Sequence, residues 1–150
     1  MFNLTASERG MTILDCGGGP SSFTAELRAG GGWCHSVDPV YLYSVVEIRQ
    51  RFFAILDDVI AQVDQTPDDW VWTYHGNSAG LRKNRIHVME RFLADYEHNR
   101  EHGGYVLGSL PFLPFTEQSY QLCLCSHLLF LYSHLLPLDF HWRLSWRCSA

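Results

Sequence analysis

The sequence predicts an α/β domain: a parallel sheet flanked by helices. Three observations carry that expectation. An apolar run at residues 11–16 ends in the glycine turn "ILDCGGGPSSF". A helical stretch, a second apolar run and a carboxylate follow it, which is the order of one βαβ unit. Short apolar runs and amphipathic stretches then alternate through residue 125. Such runs suit strands buried on both faces of a parallel sheet, and the helical stretches supply the crossovers that parallel pairing needs.

The elements follow in order. After the first strand, Ser21 or Ser22 can cap a helix that carries Phe23 and Leu27 on one face. Gly30, Gly31 and Gly32 close that helix, because glycine enters the left-handed conformation without a side-chain penalty. A second strand at 33–37 stops at Asp38 and Pro39. From 42 to 63, Val45, Ile48, Phe52, Ile55, Val59 and Val63 recur at steps of three and four, which predicts an amphipathic helix with that stripe inward. The stretch "DQTPDDWVWTYHGNSAG" breaks the pattern. A further helix places Ile86, Met89, Leu93 and Tyr96 on one face and ends before Gly103 and Gly104. A third strand at 105–107, the turn-rich "GSLPFLPFTEQS" and a fourth strand at 120–125 complete four strands.

Composition narrows the function classes. The chain has 150 residues, the size of one domain, with 47% hydrophobic and 18% charged residues. A net charge of -5 gives no basic footprint for nucleic acid. The five cysteines, at 16, 34, 123, 125 and 148, form no CxxC pair, and "MFNLTASERG" lacks the apolar core of a signal peptide. The expectation is reduced thiols in a cytoplasmic protein. Residues 118–138 carry no Asp, Glu, Lys or Arg, yet Gln118, Gln121, Ser126, His127 and His134 make them too polar for a membrane span. They read as a buried strand followed by a helix.

The glycine turn lets a ligand approach the backbone closely at the carboxyl end of the sheet. No Lys-Ser or Lys-Thr follows, which excludes a Walker loop, and the third position of a GxGxxG fingerprint falls on Ser22. Asp38 ends the second strand about 20 residues beyond the glycines, where a carboxylate can accept both hydroxyls of a ribose. Asp15, just ahead of the glycines, would repel a pyrophosphate and suit a ligand carrying positive charge. These residues ask for a ribose-bearing, phosphate-free, partly cationic ligand.

In that order, "LDCGGGPSSF", "VDP" and "LPFTEQSYQLCLCSH" resemble the class I S-adenosylmethionine-dependent methyltransferases, over residues 11–135. The resemblance implies a Rossmann-like fold, S-adenosyl-L-methionine as cofactor and methyl transfer to an unidentified acceptor, a small molecule rather than nucleic acid. It implies that Asp15, Cys16, Gly17, Gly18 and Gly19 hold the methionine part, and that Asp38, with Pro39 beside it, binds the ribose. Ser109 and Leu110 would flank the adenine, while Ser126 and His127 would face the methyl group and the acceptor. His127 is the candidate base where the acceptor must lose a proton, because imidazole titrates near neutral pH. Ser21 stands where the fuller family pattern has a third glycine, Ser109 where many members have an acid, and Gln121 where others have aspartate.

Two other readings use the same residues. Asp38 would also serve an NAD(P)-dependent oxidoreductase, against which Asp15 and Ser22 count. A non-catalytic remnant that binds cofactor without turnover is the second alternative. The family sheet has more strands than the four visible here, and the tail "DFHWRLSWRCSA" alternates like a strand. The expectation is therefore a single incomplete domain, 1–150, lacking its C-terminal strands and carrying an atypical tail at 139–150. "HNREH" at 98–102 matches an inverted zinc-protease motif but reads as a solvated helix end, and no metal is expected. Trp70, Trp72 and Tyr74 either shape an acceptor pocket or pack in the ordinary way.

Overall fold

A computed structural model describes residues 2–116 and 118–126. The expectations for His127 and for the tail at 139–150 lie outside the described residues.

The chain is an α/β fold with a four-stranded, all-parallel sheet flanked by helices, in the order β3-β2-β1-β4. The strands are β1 (Thr12–Cys16), β2 (Trp33–Asp38), β3 (Tyr105–Leu107) and β4 (Leu122–Cys125). The helices are α1 (Ala6–Arg9), α2 (Phe23–Ala29), α3 (Val45–Gln65) and α4 (Ser78–Asn99), with 3-10 turns at Pro39–Leu42 and Pro67–Asp69. The arrangement is consistent with a Rossmann-like fold. Among these elements α1 was not expected. A capping box between Thr5 and Glu8 supports its single turn.

Local chemistry explains each boundary around the site. Ser22 holds the position before α2, but its side chain makes no capping bond. The three glycines close α2 in a Schellman motif. Gly32 N–H reaches Leu27 O at 3.0 Å and Gly31 N–H reaches Arg28 O at 2.9 Å, with Gly31 at φ 83°. Asp38 caps the first 3-10 turn and Pro39 starts it, so β2 ends where the backbone can no longer donate to a neighbouring strand. The fourth strand begins two residues later than expected. Gln121 instead uses its side chain to accept the N–H of Thr12 at 3.0 Å.

The two faces of the sheet are covered differently. Ile13, Cys34 and Leu124 pack with Leu27 of α2, while Tyr41, Met89, Phe92, Leu93, Tyr96 and Tyr105 form an aromatic-rich core beneath α4. On the opposite face Leu14, Cys16 and Val37 meet Leu110, Leu113, Phe115, Tyr120, Cys123 and Cys125. The two thiols at 123 and 125 thus share one face, as residues two apart on a strand must.

The crossover from β2 to β3 is a helical hairpin. Helix α4 carries the sheet contacts, and α3 packs on its outer side through the pairs Arg49–Glu90 and Arg82–Asp57. The inward residues of α3 are Ile48, Leu56, Ile60 and Val63. Ile55, expected on that stripe, is 57% exposed. The helix is apolar on two adjacent stripes, and packing against α4 selects the one rotated toward Leu56 and Ile60. With 22 residues α4 is about 33 Å long, against about 20 Å for the six residues of β2. Its Arg91 reaches Glu26 of α2, with Nε 3.8 Å from Oε1. The loop at the tip exposes Trp70, Val71 and Tyr74, whereas Trp72 is half-buried and donates its Nε1–H to Pro67 O at 2.9 Å.

Phe92 is fully buried and ring-contacts Tyr41, Tyr96 and Tyr105. Phe92→Ala should cost about 3–5 kcal/mol in urea unfolding, whereas a loss below about 1 kcal/mol would place the core elsewhere.

Candidate cofactor site

The site forms where β1 and β2 end side by side. The register pairs Asp15 with Ser36 and Cys16 with Val37, so the glycine turn leaves β1 directly beside the last residues of β2. Gly17 N–H bonds Val37 O at 2.9 Å and carries the turn across that gap. Gly17 and Gly19 have φ of 68° and 55°, a conformation side chains rarely adopt. Gly18 is glycine for a different reason. A Cβ there would lie 2.2 Å from Ser36 Oγ and 2.4 Å from Asp15 Oδ2.

Asp38 is half-buried at the mouth of this turn. Its Oδ2 accepts the N–H of Gly19 at 3.0 Å and its Oδ1 the N–H of Val40 at 2.7 Å. Those bonds orient the carboxylate and leave each oxygen a lone pair for a ligand hydroxyl. Burial pushes the Asp38 carboxyl above its usual range, and the two N–H groups pull it partly back. Asp15 is placed differently. It is 2% exposed, beneath the glycines, and burial raises its pKa to about 6 against the hydrogen bond from Ser36, with Asp38 adding repulsion.

Two residues that sequence reasoning missed complete the site. Ser36 is buried with its Oγ 2.7 Å from Tyr41 Oη, and Tyr41 Oη donates to Gly19 O at 2.9 Å. Gly19 is thereby held through its N–H by Asp38 and through its carbonyl by Tyr41. The available signal was Ser36 itself, a polar residue within a strand and on the same face as Asp15.

The remaining expected residues divide into two groups. The Cys16 side chain points to the opposite face, 3.6 Å from Cys123 Sγ, so only its backbone can meet a ligand at the loop. Pro39 and Ser109 are exposed, and Leu110 is half-buried against the Leu14, Cys16 and Val37 cluster. A Cβ on Gly108 would lie 2.8 Å from Val37 Cγ2, so the chain leaving β3 passes close to the end of β2. Cys125 pairs with Cys16, which puts Ser126 beyond the end of β4 on the glycine-turn side. His98 and His102 fall across the end of α4, and no group of three or more His, Cys, Asp or Glu among the described residues could hold a metal ion. No helix among them is long and apolar enough to cross a membrane.

Comparison with known proteins yields one curated relative, an uncharacterized protein of Methanocaldococcus jannaschii. It is 28% identical over 142 residues, which cover 94% of this chain and 63% of the relative. The chain thus spans less than two thirds of that protein's length. No protein-family model matches, and no solved structure does either.

Two measurements follow. Gly18→Ala must displace the buried Ser36 and Asp15 side chains and should destabilise the fold by about 1–3 kcal/mol in denaturant titration. An unchanged midpoint would show that the turn is slack. The second concerns Asp15, whose raised pKa means that its neutral form stabilises the fold. That contribution is complete below the unfolded pKa and is lost as pH rises through about 6. Relative to Asp15→Asn, the wild-type chain should therefore lose about 2.4 kcal/mol between about pH 4 and pH 7. Parallel stability profiles for the two chains would contradict the burial of Asp15.

Proposed function

We propose that the chain binds S-adenosyl-L-methionine and serves methyl transfer to a small-molecule acceptor in a cytoplasmic setting. One observation carries this reading. A glycine turn that side chains cannot enter stands against a half-buried carboxylate, Asp38, fixed 3.0 Å from Gly19 N. The turn offers bare backbone to a ligand, and Asp38 offers oriented oxygens to a pair of vicinal hydroxyls. Ser22, at the third position of a dinucleotide fingerprint, opens α2 as a buried residue and supports neither a pyrophosphate loop nor the close helix approach of a glycine.

The cofactor, when bound, supplies a methyl group on a cationic sulfur that is already a good leaving group. The part left to the chain is positional. Asp38 would hold the ribose hydroxyls, Gly17, Gly18 and Gly19 would lie against the methionine part, and Ser109 and Leu110 would border the adenine. Ser126 would face the acceptor, with His127 next to it as the proposed base. Holding an acceptor in line lowers the barrier by several kcal/mol without further chemistry.

Calorimetric titration with S-adenosyl-L-methionine, with NAD as comparison, tests the reading. Saturable one-site binding is expected, and Asp38→Ala should weaken it about 10- to 100-fold, the worth of one or two hydrogen bonds to a charged group. Preference for NAD would overturn the assignment. Binding without methyl transfer to any of a broad acceptor panel would retain the cofactor and remove the enzyme.

A further inference from the structure

Three oxygen–oxygen contacts run in line from Asp15 to the glycine turn. Asp15 Oδ2 lies 3.3 Å from Ser36 Oγ, which lies 2.7 Å from Tyr41 Oη, which lies 2.9 Å from Gly19 O. Three hydrogen bonds need three hydrogens. Ser36 and Tyr41 bring one each, and the Gly19 carbonyl brings none. An ionised Asp15 therefore leaves one contact as two oxygens facing each other. A neutral Asp15 provides the missing hydrogen, and the order becomes Asp15 to Ser36 to Tyr41 to the Gly19 carbonyl. The Asp15 link, at 3.3 Å, is the longest of the three and weak in either order, so the hydrogen count and not its length decides.

We propose that Asp15, when neutral, is a positioning residue that sets the carbonyl of Gly19 through Ser36 and Tyr41, that its ionisation releases this hold, and that it is not a counter-charge for a cationic ligand. The hydrogen order stands on the geometry alone. Its effect on cofactor affinity rests on the reading of the turn as the cofactor loop.

The groups around Asp15 support the neutral form. On one side β2 brings Ser36 in register, Cys34 and the second acid, Asp38. On the other, β4 offers only Leu124 in register. Tyr41 covers the end, backed by Tyr96 of α4 and Tyr105 of β3. The cation of α2, Arg28, is placed beside Gly104 and Asn99, with its Nη1 buried.

Carbon-13 NMR of the Asp15 carboxyl, titrated in the wild-type chain and in Tyr41→Phe, tests the hydrogen order. Loss of the Tyr41 hydroxyl frees the Ser36 hydrogen for the carboxylate, so the Asp15 midpoint should fall by about one unit or more. An unmoved Asp15 midpoint overturns the relay. S-adenosyl-L-methionine affinity at pH 5.5 and pH 8 tests the consequence. Binding should weaken about tenfold at the higher pH in the wild-type chain and stay constant in Asp15→Asn, whose amide donates at any pH. A pH effect that survives in Asp15→Asn overturns the positioning role. Absence of binding at both pH values with the NMR shift intact overturns the cofactor reading and leaves the relay standing.

Discussion

The two peptide groups that flank the Gly19 Cα are each held, the Gly18–Gly19 N–H by Asp38 and the Gly19–Pro20 carbonyl by Tyr41, and the candidate site depends on that clamp. Three consecutive glycines have more backbone freedom to lose on folding than any other triplet, at roughly 1–2 kcal/mol for each residue fixed. One bond to each of these two peptide units, from groups that are themselves restrained, fixes the turn without filling the space above it. Asp38 is restrained by Val40 N–H, and Tyr41 by Ser36 and by the rings of Phe92, Tyr96 and Tyr105.

The aromatic core beneath α4 and the glycine turn are therefore one mechanical system. Tyr96 Oη lies 3.0 and 2.9 Å from the carbonyls of Tyr41 and Tyr43 and shares its one hydrogen between them, which ties the 3-10 turn after β2 to the crossover helix. Any shift of α4 on the sheet would move Tyr41 and, through it, Gly19. The outer half of the hairpin is held differently. Its ion pairs, Arg49–Glu90 and Arg82–Asp57, are partly exposed, and such pairs contribute only about 0–1 kcal/mol each. Leu56, Ile60 and Val63 bury the apolar area that keeps α3 in place.

How legible these features were in the sequence follows from their range. The glycine closure of α2, the end of β2 at Asp38 and the third strand are local signals, carried by residues within a few positions of one another. The parallel pairing followed from the alternation of elements, because strands joined by long connections do not form tight antiparallel hairpins. The inward stripe of α3 was misread at Ile55, since periodicity alone cannot choose between two apolar stripes when a second helix does the choosing. Ser36 and Tyr41 were missed for the same physical reason. A serine in a strand and a tyrosine after a turn look ordinary until the register places Ser36 opposite Asp15 and the fold brings the Tyr41 hydroxyl to 2.9 Å from Gly19 O.

Two acids near the ends of neighbouring strands then take different parts because their surroundings differ. Both are pushed above the usual carboxylate range by burial. Asp38 receives two backbone N–H bonds and stays half-buried, so its ionised form is compensated and turned toward the space above the turn. Asp15 receives one long contact from a hydroxyl already engaged with Tyr41, so ionisation there would be uncompensated in a site with little water. The same residue type thus presents oriented acceptors in one position and, in the proposed neutral form, a donor in the other. Environment, not sequence spacing, divides the roles.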